Sequence, residues 1–124
     1  MHSEETAYNR AYDQRQYRQM LFTIDAYKSG RMSIGTLIGN LEALLICLIN
    51  VSDEWAARFE DSWLDIEIVY ALALDTQLKQ LSEEQMTAVT ETLATIESLV
   101  QSVIEEQPEK TTQISDHADR RAGC

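Results

Sequence analysis

Apolar residues recur at intervals of three and four along most of this chain, and this spacing constrains the fold more than any other feature. Such spacing places side chains on one face of an α-helix, whereas a half-buried strand would show alternation at every second residue. No alternating segment stands out in the sequence. The sequence therefore predicts an all-α protein in which each helix buries one face against its neighbours.

Residues typical of helix ends divide this pattern into four segments. Gly30 is typical of a helix C-terminus, and Ser33 and Ser52 are typical N-caps. Ser82 and Gln85 have the spacing of a capping box, in which each side chain bonds to the other residue's backbone N–H. The predicted helices cover about residues 10–29, 34–50, 53–78 and 83–106.

The connections between these segments are short, which favours antiparallel packing of successive helices. The predicted architecture is an antiparallel up-down four-helix bundle, and a three-helix core with a loose first helix is the alternative. Residues 1–107 would form this single helical domain. Pro108 ends the last helix, and residues 108–124 are predicted to be a flexible, disordered polar tail because they lack apolar periodicity.

The chain is strongly acidic, with 21 acidic and 10 basic residues among 124 and a net charge of −11. A surface of this charge repels phosphate backbones and anionic lipids, so no direct contact with nucleic acid or membrane is expected and a basic partner is favoured. The first residues do not resemble a signal peptide, and the longest apolar stretch, residues 41–51, is too short to span a bilayer. We therefore expect a cytoplasmic protein.

The third predicted helix carries seven acidic residues against one basic residue, Arg58. At 100° per residue its aromatic residues and its acidic residues occupy separate arcs. Leu64, Ile68 and Leu72 project inside the acidic arc, either as contacts for a partner or as core residues of a helix buried on two sides. The residues predicted to bind a partner are Glu54, Glu60, Asp61, Leu64, Asp65, Glu67, Ile68 and Asp75.

Two tryptophans lie on the aromatic arc of the same helix, eight residues apart. Packing in the core and anchoring of an interface both fit Trp55 and Trp63, because tryptophan is common in both settings. The sequence leaves these two roles open.

Residue patterns that support catalysis or metal binding are missing. His2 and His117 lie in the predicted terminal regions, so the core has no histidine base and no imidazole ligand. The sequence contains no glycine-rich phosphate loop, no Cys-x-x-Cys and no Glu-x-x-His pair of the di-iron bundles. We expect no cofactor and no metal, and we predict that the protein is not an enzyme.

Three segments of the chain resemble a known group of proteins. They are Leu41–Leu45 (LEALL), Ser52–Trp55 (SDEW) and Phe59–Asp75, which has the pattern F-E-x-x-W-x-x-I-E-x-x-Y-A-x-A-L-D. Together they resemble small all-helical immunity proteins of bacterial contact-dependent growth inhibition and related polymorphic toxin systems. The resemblance covers residues 18–105. It implies an antitoxin that binds and neutralises a cognate toxin, and many such toxins are nucleases with a basic substrate groove.

The acidic surface leaves two other functions open. An acidic adaptor, or a nucleic-acid mimic that inhibits a host basic protein, would have the same electrostatics but would lose affinity steeply with salt. A structural bundle could instead form a homo-oligomer through the wide apolar stripe of the second helix. The acidic face of the third helix would not form that contact, because a two-fold axis would set like charges opposite each other.

Overall fold

The computed structural model describes residues 2–76 and 80–106, and within these residues the chain forms four α-helices and no β-strand. They are α1 (His2–Lys28), α2 (Ile34–Cys47), α3 (Asp53–Leu74) and α4 (Glu83–Glu106). α1 packs against α2 and α4, and α3 packs against the same two helices, so the four form a closed ring. The all-α four-helix bundle is confirmed. The predicted tail, residues 108–124, lies outside the described residues.

Contacts between α2 and α3 show that these neighbours run antiparallel. The indole Nε1 of Trp63 donates a hydrogen bond to the carbonyl oxygen of Ile38 at 2.8 Å. Gly35, one turn before Ile38 in α2, lies against Tyr70, which is two turns after Trp63 in α3. The contacts therefore move forward along α3 as they move back along α2. A Cβ atom at Gly35 would lie 2.9 Å from the Tyr70 hydroxyl oxygen, so only glycine leaves room for this ring without a shift.

The predicted helix caps are present. Gly30 has a φ of 84°, the left-handed conformation that ends many helices. Ser33 and Ser52 accept hydrogen bonds from backbone N–H groups three residues later, at 3.2 and 3.1 Å. Ser82 and Gln85 exchange two hydrogen bonds, of 2.9 and 3.1 Å, and form the capping box at the start of α4. Local sequence therefore determines where three of the four helices begin.

Two helix boundaries differ from the prediction because nothing in the apolar pattern marks them. α1 begins at His2 rather than near residue 10. Residues 2–9 are mostly polar, but such residues have ordinary helix propensity and can extend a helix that packs further along. α3 ends at Leu74 rather than residue 78, since the N–H of Thr76 bonds to the carbonyl of Ala73 at 3.2 Å, the tight spacing that closes a helix.

A buried aspartate of α1 ends α2 earlier than predicted. α2 stops at Cys47 rather than residue 50, and Leu48 already has an extended backbone. The side chain of Asp13 is buried, and its two carboxylate oxygens accept hydrogen bonds from the N–H groups of Ile49 and Asn50 at 2.8 and 2.7 Å. These N–H groups therefore bond to α1 instead of continuing the hydrogen-bond ladder of α2.

The core lies at the centre of the ring and receives side chains from all four helices. Tyr17, Met20 and Ile24 of α1 are fully buried, so the alternative of a loose first helix is wrong. The buried apolar side chains contributed by the other three helices are Leu37, Ile38, Leu41, Phe59, Ile66, Ala73, Val89, Leu93, Ile96, Val100 and Val103. The spacing of these residues is the one that predicted the helices.

Burial raises the pKa of the Asp13 carboxyl above its ordinary value of 3.8, and the hydrogen bonds from Ile49 and Asn50 offset only part of this effect. A carboxyl whose pKa is higher in the folded than in the unfolded chain holds its proton more tightly in the native state. The contribution of Asp13 to stability is therefore largest below pH 3.8 and falls as the pH rises through the raised value.

We expect Asp13→Ala to lower the free energy of unfolding by about 1–3 kcal/mol, because two backbone N–H groups lose their acceptor. Asp13→Asn keeps one acceptor oxygen and does not titrate, so it should lower the free energy of unfolding by less than Asp13→Ala does. Its stability relative to the native chain should also increase as the pH rises above 3.8. Urea unfolding followed by circular dichroism, at mildly acidic and at neutral pH, measures both effects. An Asp13→Ala chain as stable as the native one would contradict this role of the carboxylate.

Candidate protein interface

Three buried residues determine which side of α3 faces the core. Phe59, Ile66 and Ala73 are seven residues apart and buried. Seven residues amount to almost two full turns, so these side chains share a face. We call the opposite side the outer face of α3. Its exposed residues are Glu54, Ala57, Glu60, Asp61, Leu64, Asp65, Ile68, Ala71, Leu72 and Asp75.

The outer face brings together seven of the eight residues predicted to bind a partner, and all seven are exposed. The eighth, Glu67, is half-buried at the edge of this face, on the side that carries Trp63 and contacts α2. From Glu54 to Asp75 the face extends along roughly 30 Å of helix. It is a single convex surface that no other described helix covers.

Three large apolar side chains are exposed within this acidic surface. Leu64, Ile68 and Leu72 have exposed fractions of 45%, 50% and 56%. The alternative that these residues belong to the core is therefore wrong. Their spacing of four residues places them in one row, which we call the apolar row. Leu72 was not among the residues predicted to bind a partner, although its position inside the acidic arc could have identified it as one.

Carboxylates flank the apolar row on both sides. Asp61 and Asp65 form the neighbouring row on one side, and Glu67 and Asp75 lie on the other. An apolar centre with a charged rim is the arrangement found in many protein interfaces. Here the rim has a single sign, so a complementary surface would be apolar at its centre and basic around it.

Basic groups within residues 2–76 and 80–106 neutralise little of the negative charge on the outer face. Arg58 is the one basic residue of α3, and its Nη2 lies 2.9 Å from Oε2 of Glu54. Among the described residues, Asp61, Asp65 and Asp75 have no ion pair. The remaining carboxylates are therefore available to basic groups of another molecule.

The two tryptophans of α3 pack against neighbouring helices and do not contribute to the outer face. Both are half-buried, and each indole N–H donates to a backbone carbonyl: Trp55 to Leu99 of α4 at 3.0 Å, and Trp63 to Ile38 of α2. The ring of Trp55 also lies 5.5 Å from that of Tyr17. These contacts answer the question that the sequence left open, since both tryptophans join helices of the bundle.

Other surfaces offer less for ligand binding. A shallow groove of about 500 Å³ between α3 and α4 is lined by Arg58, Thr95, Ser98 and Ser102. Within the part of the chain that the structure describes, no three His, Cys, Asp or Glu side chains are grouped so that they could hold a metal ion. No helix in that part has both the length and the apolar character needed to cross a membrane.

No protein-family model matches the chain, and no curated protein or solved structure matches it either.

Two isoleucines of α3 provide a matched test of which side is covered. Ile66 is buried and Ile68 is half exposed. We expect Ile66→Ala to lower the free energy of unfolding by about 2–5 kcal/mol, because it removes buried methyl groups and leaves a cavity. Ile68→Ala should change it by no more than about 0.5 kcal/mol, as surface substitutions do. Equal losses in urea unfolding would mean that the outer face is packed in the native protein.

Proposed function

We propose that this protein is an immunity protein, which binds a basic toxin through the outer face of α3 and thereby neutralises it. The observation that carries the proposal is the exposed apolar row between carboxylates that have no basic partner among the described residues of the bundle. Soluble monomeric proteins rarely expose large apolar side chains in a contiguous patch, and such patches often mark interaction sites. The sequence resemblance to toxin-immunity proteins suggests the kind of partner.

The charge of the chain supports a basic protein as the partner. A net charge of −11 disfavours phosphate and anionic lipid, both of which would be repelled by the outer face. A toxin that acts on nucleic acid needs a basic groove to hold its substrate. Carboxylates of α3 that lie in such a groove would exclude the phosphates of the substrate, so inhibition would need no catalysis by this chain.

Opposite potentials also make association fast. Electrostatic steering raises association rate constants to about 10⁸–10⁹ M⁻¹s⁻¹ at low salt. An inhibitor that protects the cytoplasm must reach a toxin before the toxin reaches its substrate, so a high rate has functional value. The apolar row would then slow dissociation, because separating the two proteins would expose apolar surface to water again. Salt does not screen this apolar contribution.

The apolar row also separates this proposal from a pure nucleic-acid mimic. A mimic that binds several host basic proteins through charge alone loses affinity steeply with salt. A dedicated inhibitor with an apolar centre retains its partner when exposed charges are screened. Salt resistance of the complex is therefore the property that distinguishes the two functions.

The experiment that tests the function is co-expression of the tagged chain with the open reading frame immediately upstream of it in its genome. We expect the two products to co-purify at about 0.5 M salt, where the Debye length is only a few ångströms. We also expect the upstream product to be lethal when it is expressed alone. If the two products form no complex and the upstream product is not toxic, the proposal is contradicted. That result would favour a salt-sensitive adaptor or a self-associating bundle.

Charge reversal tests whether the outer face of α3 is the surface used. We expect Asp61→Lys with Asp65→Lys to lower the association rate constant for the co-purified partner by about tenfold or more. The matched control is Glu42→Lys with Glu91→Lys, which changes the net charge equally at exposed positions on α2 and α4. Stopped-flow binding at low salt measures both variants. Equal rates for the two variants would show that only net charge matters and that this face is not the binding site.

A further inference from the structure

The outer face of α3 carries a second helical seam besides the one that enters the core. Its members alternate at intervals of four and three, and all are exposed: Ala57, Asp61, Leu64, Ile68, Ala71 and Asp75. The buried seam of α4 between Val89 and Val103 has the same alternation. Seams of this kind pack against another helix by inserting side chains into the spaces between side chains of the partner, at a crossing angle near 20°.

We propose that the partner contacts this outer seam with a basic amphipathic α-helix, which lies along α3 as a fifth helix of the bundle. This inference rests on the proposed function, since it describes what occupies the same face. The centre of the seam, Leu64, Ile68 and Ala71, requires apolar side chains on the partner helix. Asp61 and Asp75 come directly before and after that centre along the seam, and Glu60, Asp65 and Glu67 lie beside it. These carboxylates require lysine or arginine around the apolar centre of the partner helix.

The length of the seam sets the length of the helix that would fill it. From Ala57 to Asp75 the seam spans 18 residue steps, which corresponds to about 27 Å or five helical turns. A helix of about 20 residues covers this distance. The partner element is therefore a complete helix rather than a short turn or a single inserted side chain.

Other occupants fit this face less well. A second copy of the chain fits poorly, because a two-fold axis would place the carboxylates of this face opposite the same carboxylates of the other copy. Residues 107–124 contain a single large aliphatic side chain, Ile114, and cannot supply the apolar centre. An added β-strand needs an open sheet edge, and the described residues form no strand.

Two synthetic peptides of identical composition and net charge test the inference against the full-length chain. Each has about 20 residues, with leucine and alanine among lysines. In the first peptide the apolar residues follow intervals of three and four. In the second peptide the same number of apolar residues alternates with lysine over a central segment of about 12 positions, and the remaining lysines lie on both sides of it. We expect the first to bind at least about tenfold more tightly in fluorescence anisotropy at about 0.15 M salt. Its helix content in circular dichroism should rise on binding.

Matched variants of the protein show whether the seam is the site. Ile68→Asp places a charge at the centre of the seam, and we expect it to weaken binding of the first peptide by about tenfold or more. Ile46→Asp makes the same change at a position of α2 that is 73% exposed and lies on a different surface. This control should change the affinity by less than about threefold, since it alters only the net charge.

Equal affinity for the two peptides, absence of binding by both, or equal effects of the two aspartate substitutions would each overturn the inference. The proposed function fails by a different result, which is the lack of a salt-resistant complex with the upstream product. The charge reversal Asp61→Lys with Asp65→Lys could slow formation of the complex while the two peptides bind equally well. That combination of results would support the proposed function and contradict the fifth helix.

Discussion

Burial of Phe59, Ile66 and Ala73 against the rest of the core decides what α3 can present to solvent. A helix is rigid about its axis, so inserting one face into the core fixes the direction of every other side chain. Trp55 and Trp63 strengthen this constraint, because each donates a hydrogen bond to a carbonyl of a neighbouring helix. The apolar row therefore cannot turn inward without breaking the packing of α3 on both sides.

The outer face of α3 is unfavourable for the stability of the isolated chain. Like charges four residues apart, such as Asp61 and Asp65, destabilise a helix by a few tenths of a kcal/mol. Each exposed Leu or Ile also forgoes part of the roughly 1.5–3 kcal/mol that full burial contributes. A surface selected only for solubility would alternate basic and acidic residues. A partner that neutralises the carboxylates and covers the apolar row would remove both disadvantages, so the proposed binding role would account for this face.

Features that depend on neighbouring residues were predictable from the sequence, whereas features that depend on distant ones were not. Ser33 and Ser52 cap helices through backbone groups three residues away, and both were identified. Asp13 ends α2 by binding Ile49 and Asn50 across the bundle, and no local pattern indicates that contact. For the same reason α2 ended earlier than its apolar stripe predicts.

The candidate site shows the same division between local and distant information. Helical periodicity correctly placed the acidic residues and the apolar row on the side of α3 opposite Phe59 and Ile66. It could not decide whether another helix covers that side, because this depends on how four helices close into a ring. The hydrogen-bond partners of Trp55 and Trp63 lie on α4 and α2, so their role also required the assembled fold.

Carboxyl footprinting tests most directly the claim that the outer face of α3 is the binding surface. The full-length chain would be treated with a carbodiimide and an amine, alone and in its complex with the upstream product, and modification would be quantified by mass spectrometry. The account predicts that Asp61 and Asp65 lose most of their reactivity in the complex, while Glu42 and Glu91 on α2 and α4 keep theirs. Protection of Glu42 or Glu91, with Asp61 and Asp65 still reactive, would contradict it.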